Sequence, residues 1–253
     1  MGTSFKRLLA GTAATLALAA LPVQAALIVN GGFESGLSNW TVANQTGSDG
    51  SFTVQSGLSS PVTGTAVPAP PGGSNAAMTD AEAGGSHVLY QDFTQTVAVT
   101  SARLRFDIFI GNRADAFHVP AVPTLDWATA ALNQHARVDV LGAGADPFSV
   151  ALADVLVNAY LTNPGDPLVS GYRRINVDIT GLLNANLNRA LRLRFSEVDN
   201  VNMFQFGVDN VDIVIDGPSA VPEPMSLALV LSACAAALLA RRRALVRHAP
   251  VRR

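Results

Sequence analysis

Between residues 26 and 216, apolar side chains fall on every second position in short runs separated by clusters of Gly, Ser, Asn, Asp and Pro. A period of two turns one face of a strand inward and the other outward, so this pattern predicts an all-β antiparallel sandwich. The clearest run is 104–110, where Leu104, Phe106, Ile108 and Ile110 share one face and Arg105 and Asp107 the other. The same alternation marks Val138 and Val140; Ile175, Val177 and Ile179; Leu191, Leu193 and Phe195; and Val211, Ile213 and Ile215. A helical spacing competes over 152–161, and a further helical turn is expected at 180–183. The Gly- and Pro-rich stretches 56–73 and 164–167 read as surface loops.

Both ends of the chain break this pattern. Residues 8–21 are a continuous apolar run that follows Lys6 and Arg7 and closes on Val23-Gln24-Ala25. That layout is a secretory signal peptide over 1–25, cut by a signal peptidase after Ala25. Pro22 stops the run short of the roughly 20 residues a membrane span needs. At the other end Pro222-Glu223-Pro224 leads into an apolar stretch at 225–240, which is followed by Arg241-Arg242-Arg243 and a short basic tail. The prolines keep the chain extended for a protease. As a helix the stretch would reach about 24 Å towards a hydrocarbon core of roughly 30 Å. The arginines would hold the C-terminus on the cytoplasmic side. Between the two ends lies one domain, 26–216, with a brief linker at 217–221.

Charge sharpens this division. The formal charge of the whole chain is −2, but eight of its seventeen basic residues lie in the terminal segments. Residues 26–224 carry nine basic and nineteen acidic side chains, a formal charge of −10. Such a surface repels nucleic acid at long range, so no nucleic-acid partner is expected. The only cysteine, Cys234, lies in the apolar stretch and reads as a small packing residue. The domain therefore has no disulfide to lean on and must be held by its core, which at this size buries around 70% of the unfolded surface.

The C-terminal arrangement resembles the PEP-CTERM sorting signal, with Pro222, Glu223 and Pro224 as the motif, 225–240 as the transmembrane helix and Arg241, Arg242 and Arg243 as the basic stop. The resemblance implies a Gram-negative, exopolysaccharide-producing source. It implies a precursor anchored in the inner membrane and processed by an exosortase, then localisation in the cell envelope, on the outer surface or in the extracellular matrix. The tail runs ten residues past the arginine cluster, longer than is usual for that signal. A plain C-terminal anchor is the competing reading.

A second resemblance covers the domain. Leu27-Ile28-Val29-Asn30-Gly31-Gly32-Phe33-Glu34, followed by Trp40, is similar to the first strand of galactose-binding-like jelly rolls, which include many carbohydrate-binding modules. Phe206-Gly207-Val208-Asp209-Asn210-Val211 is similar to their last strand, and Gly85 to Phe93 to their Gly-x-x-x-Leu-x-Gln strand. The resemblance implies a jelly-roll β-sandwich and a structural calcium ion near the junction of first and last strands. Glu34 and Asp209 stand at the acidic positions of the two motifs, and calcium takes six to eight such hard oxygens.

Sugar binding calls for an exposed aromatic face beside polar groups. Trp127 is the leading candidate, with Tyr90 and Tyr172 behind it, whereas Trp40 reads as core. Catalytic signals are absent: His87, His118, His135 and His248 have no metal-ligand spacing, and no nucleophile elbow or phosphate loop occurs. Asp107, Asp115, Asp126 and Asp139 are the carboxylates from which a glycosidase pair would have to come. The expected function is that of a non-catalytic envelope or matrix protein associated with exopolysaccharide, biofilm or floc formation. Its acidic surface would meet anionic polysaccharide through calcium. A carbohydrate-binding module with a defined glycan is the alternative, and a polysaccharide-degrading enzyme the third reading.

Overall fold

The computed structural model describes residues 26–216. The signal peptide with its Ala25 site, the 217–221 linker, Pro222-Glu223-Pro224, the 225–240 span and Arg241, Arg242 and Arg243 lie outside the described residues.

The domain is a sandwich of two antiparallel five-stranded sheets, consistent with a jelly roll. Sheet A runs in the order β1 (Thr41–Asn44), β4 (Gly85–Thr94), β9 (Ala190–Asp199), β6 (Gln134–Gly142), β7 (Val155–Leu161). Sheet B runs β2 (Ser51–Ser56), β3 (Asn75–Asp80), β10 (Phe204–Asp216), β5 (Ser101–Asn112), β8 (Arg173–Asp178). Every run predicted from the period of two lies in one of these strands, except Ile179, which sits just past β8 at the start of α1 (Thr180–Ala185). The expected turn at 180–183 is thus a short helix.

Inward positions of both sheets interleave to form the main core. Leu89, Val138, Val140, Leu191, Leu193 and Phe195 come from sheet A, and Phe52, Leu104, Phe106, Ile108, Phe206 and Val208 from sheet B. Phe106 and Phe195 bridge the sheets edge to face, with ring centroids 5.4 Å apart. Trp40 is core as expected: it packs on Phe33 and Phe195 and donates its indole N–H to the Asn30 carbonyl at 3.1 Å.

Two expectations are corrected. Residues 152–161 do not form a helix; Leu152 is 96% exposed and the chain enters β7 at Val155. The i, i+3, i+4 apolar spacing there is outweighed by pairing with β6 and by packing of Val157, Ala159 and Tyr160 on the core. The opening motif is not a strand either. Asn30 and Phe33 adopt left-handed φ values of 55°, so the segment coils before β1. It is latched by Gln91 of β4, whose side chain accepts from the Val29 N–H at 2.7 Å and donates to the carbonyls of Val29 and Asn39 at 3.0 Å. The Gln of the Gly-x-x-x-Leu-x-Gln strand thus replaces a ladder with side-chain bonds.

The outer face of sheet A is roofed. The connections 113–133 and 143–154 fold across it and seal a second apolar cluster of Val88, Leu125 and Val198, against which Trp127, Phe148 and Val150 pack. Beneath the 143–154 segment, Arg194 is fully buried, paired to Asp139 and donating to the carbonyls of Pro147 and Ser149. The outer face of sheet B carries only a small cluster of Val67, Met78 and Phe109 with Tyr172, and its β5–β8 side stays open.

Candidate functional site

The turn after β9 and the 127–132 segment enclose a cleft of about 560 Å³, lined by Trp127, Glu82, Gly84, Leu132, Asn202 and Met203 among others. Its geometry is set by side chains from distant strand ends. Gln45, just after β1, donates to Asp126 Oδ1 at 2.9 Å and accepts from the Trp127 N–H at 3.1 Å. Asn200, just after β9, donates its amide to the carbonyls of Trp127, Thr129 and Ala131 at 2.9–3.2 Å and accepts from the Asn133 N–H at 2.7 Å. Both pin the loop in place without a ligand. Neither residue stands out in the sequence, because the only local signal is a polar side chain at a strand end.

Trp127 itself is half-buried. Its ring passes so close to Gly47, at a φ of +82°, that an added Cβ there would sit 3.3 Å from Cζ2. The indole N–H is enclosed without a hydrogen-bond partner. Trp127 is therefore part anchor and part cleft wall. The other aromatic candidates are committed elsewhere. Tyr90 is covered by the Arg192 guanidinium at 4.1 Å, and Tyr172 donates its hydroxyl to Gln55 Oε1 at 3.2 Å while packing on Phe109. Burial pushes the Tyr172 hydroxyl well above its ordinary range.

Glu34 and Asp209 meet at one loop. Glu34 Oε1 accepts the N–H groups of Ser74 and Asn75 at 2.9 Å, and Asp209 Oδ2 accepts that of Gly72 at 3.0 Å. A side chain at Gly73, whose φ is +62°, would collide with the Glu34 carboxylate. Burial, with like charge from Asp107 and Glu34, pushes the Asp209 carboxyl up to about 6. Among the described residues no group of three or more His, Cys, Asp or Glu side chains is placed to hold a metal ion. A calcium ion here would therefore take most of its oxygens from carbonyls and water. The crowded carboxylates would supply the charge that attracts it.

The four aspartates considered as acid–base candidates belong to separate settings. Asp139 lies on β6 between Arg137 and Arg194, and Asp107 on β5 in sheet B is gripped by Arg174. Burial alone would raise both carboxyls, but the arginine partners outweigh it and hold each below the usual range. A general acid needs the opposite shift. Asp115 is exposed beside His118, and Asp126 receives Gln45 and the Ala128 N–H. Raised carboxyls do occur at one end of the interior: burial holds Glu197 well above its usual value and Asp199 at about 7. Both are enclosed, at 1% and 2% exposure, so no substrate reaches them.

No protein-family model and no curated protein matches this sequence. Solved structures of similar fold exist. The enzymatically active domain of bacteriophage CBA120 tailspike protein 4 is similar over 75% of this chain but only 21% of its own, at 16% identity and a TM-score of 0.41. TmCBM61, a carbohydrate-binding module solved in complex with β-1,4-galactotriose, is similar over 76% of this chain and 100% of its own, at 14% identity and a TM-score of 0.39. The K3 cleaved adhesin domain of Lys-gingipain from Porphyromonas gingivalis w83 is similar over 74% and 98%, at 14% identity and a TM-score of 0.45. Likeness at this level carries no argument about what this chain binds or does.

Proposed function

We propose that the chain is an exported, non-catalytic glycan-binding protein of the cell envelope or extracellular matrix, and that the cleft beside Trp127 is its sugar seat. The supporting observation is that cleft. Its volume of about 560 Å³ falls in the range of small-molecule sites, and its walls combine an aromatic edge with polar groups. A pyranose would pack its apolar face on the indole while its hydroxyls pair with the Glu82 carboxylate, the Asn202 side chain and main-chain groups of 128–132. Gln45 and Asn200 order the loop beforehand, so binding costs little rearrangement.

Placement outside the cell rests on the two terminal segments. Signal peptidase would release the N-terminus after Ala25, and an exosortase would act near Pro222-Glu223-Pro224 while 225–240 holds the precursor in the inner membrane. Exopolysaccharide is the natural source of ligand in that compartment. If calcium binds, Glu34 and Asp209 would hold it, and its role would be to tie the opening segment, the 72–75 loop and β10 together. It would not touch the sugar.

The test is a glycan array probed with the purified protein, with and without calcium, beside the Trp127→Ala variant. Retention of a defined glycan that is lost in the variant supports the proposal. No retention by wild type, or equal retention by the variant, overturns it. Mass spectrometry of the mature C-terminus tests the placement separately, since an intact C-terminus on the exported protein would remove the exosortase from the account.

A further inference from the structure

The open side of sheet B holds a second, shallower depression of about 310 Å³, lined by Gly32, Arg105, Arg174, Asn210, Val211 and Asp212. Its side chains are ordered by strand register. Arg105 on β5 lies directly opposite Asp212 on β10 and Asn176 on β8. Two residues further along, Asp107 faces Arg174. Between Asp209 and Asp212 the β10 register shifts, and Asn210 takes a left-handed φ of 50° in the irregular stretch. Bulges of this kind re-aim side chains and recur beside binding sites.

The two arginines stand in different states. Arg174 is clamped: its Nε and Nη2 donate to the Asp107 carboxylate at 2.9 and 2.7 Å, and the Asn210 amide donates to the same carboxylate at 2.8 Å. Its side chain is still 57% exposed, so one flank faces the depression. Arg105 is half-buried, and its Nε–H is enclosed without any acceptor. Among the described residues no ion pair joins it to Asp212, although register sets the two opposite each other. A buried donor without an acceptor is uncommon in folded proteins, and a guanidinium fork is shaped for a planar oxyanion.

We propose that this depression is a subsite for one carboxylated sugar residue, a uronate unit of an acidic glycan. The sugar carboxylate takes the Nη donors of Arg105, which are not enclosed and make no hydrogen bond among the described residues, with Arg174 adding charge from the side. Asp212 accepts from the ring hydroxyls. That last feature selects the ligand class. A carboxylate in the wall finds no donor on a phosphate group, whose exposed oxygens only accept, but it suits a polyol that carries one acid group beside its hydroxyls. The subsite lies in sheet B and shares no lining residue with the Trp127 cleft. It rests on the glycan-binding proposal only for the ligand class.

Titration calorimetry of the purified full chain with oligogalacturonate, and with the same oligomer after carboxyl reduction, tests this. Binding is expected for the acidic oligomer, at least tenfold weaker for the reduced one, and weakened by sodium chloride. Arg105→Gln should cost tenfold or more. Gly32→Phe should do the same by filling the depression, since nothing lies within 4 Å of a Cβ at Gly32 and its backbone is unstrained. The glycan-array comparison with Trp127→Ala reads the cleft on its own, because the two sites share no lining residue, and this separates failure here from failure of the cleft. Circular dichroism confirms that each variant is folded. Equal affinity for both oligomers, wild-type affinity in folded Arg105→Gln and Gly32→Phe, or binding of free sulfate as tight as that of the oligomer would each overturn the proposal.

Discussion

The outer faces of the two sheets use the same residue to opposite ends. Sheet A places Arg137, Arg192 and Arg194 on its outer face, and all three are buried and paired, with Asp139 or Asp92. Sheet B places Arg103, Arg105 and Arg174 on its outer face, and of these only Arg174 is held by a carboxylate. The difference lies in what covers them. Connections 113–133 and 143–154 bring carbonyls and apolar side chains down over sheet A, so its charges are desolvated and must be paired. Among the described residues no comparable connection covers the β5–β8 side of sheet B, so Arg103 and Arg174 are exposed, Arg105 is half-buried, and Arg103 and Arg105 are in no ion pair. One face has become a second core, and the other is available to a ligand.

The sharpest way to break this comparison is Asp139→Ala. It leaves Arg137 and Arg194 buried without a counter-charge and is expected to destabilise the domain by about 3–5 kcal/mol in urea denaturation. A loss under 1 kcal/mol would mean that the roof is loose enough to admit water. Asn200→Ala comes next. It removes the amide that holds three carbonyls of the cleft loop and is expected to cost about 1–3 kcal/mol. Amide hydrogen exchange should quicken across 127–133 while β5 and β8 keep their protection.

A contrast between two aspartates follows. Asp139 is held low by its arginines, whereas Asp209 is in no ion pair among the described residues and stands at about 6 against an ordinary 3.8. In the unfolded chain Asp209 gives up its proton first, so its contribution to stability is complete below about 3.8 and is lost as pH rises through 6. Asp209→Asn should therefore gain on the order of 1–2 kcal/mol at pH 7.5 in chelator, with no gain at pH 4. Added calcium should erase or reverse that gain if Asp209 is a ligand. A calcium-independent gain would remove the ion from the account. The smallest effect is expected for Arg105→Gln, within about 0.5 kcal/mol of wild type, because the side chain packs no core and neutralises no buried carboxylate. A loss comparable to that of Asp139→Ala would erase the distinction between the two faces.

Much of the scaffold was legible from local pattern. The alternation in 104–110 predicted β5, and the same reasoning located β6, β8, β9 and β10, because inward and outward positions follow from the two-residue repeat itself. Residues 152–161 misled because their apolar spacing suits either period, and only the neighbouring β6 ladder decides for a strand. The opening segment misled for a different reason: Gln91 latches it across 62 residues, a contact with no local signature. Trp127 was identified as an aromatic candidate. Its half-buried state and the clamps from Gln45 and Asn200 were not visible, since they join residues more than sixty positions apart.

The amino-acid order alone determined which side chains face the interior, since alternation along one strand needs no partner. It also determined that the domain is acidic and lacks a disulfide. Tertiary structure decided the fate of each charge. Arg192 finds Asp92 across 100 residues, Arg194 finds Asp139 across 55 and Arg174 finds Asp107 across 67, while Arg105 finds no carboxylate. Whether an arginine on a strand becomes a buried strut or an open donor depends on how far water reaches it. That in turn is set by loops folding over the sheet from elsewhere in the chain.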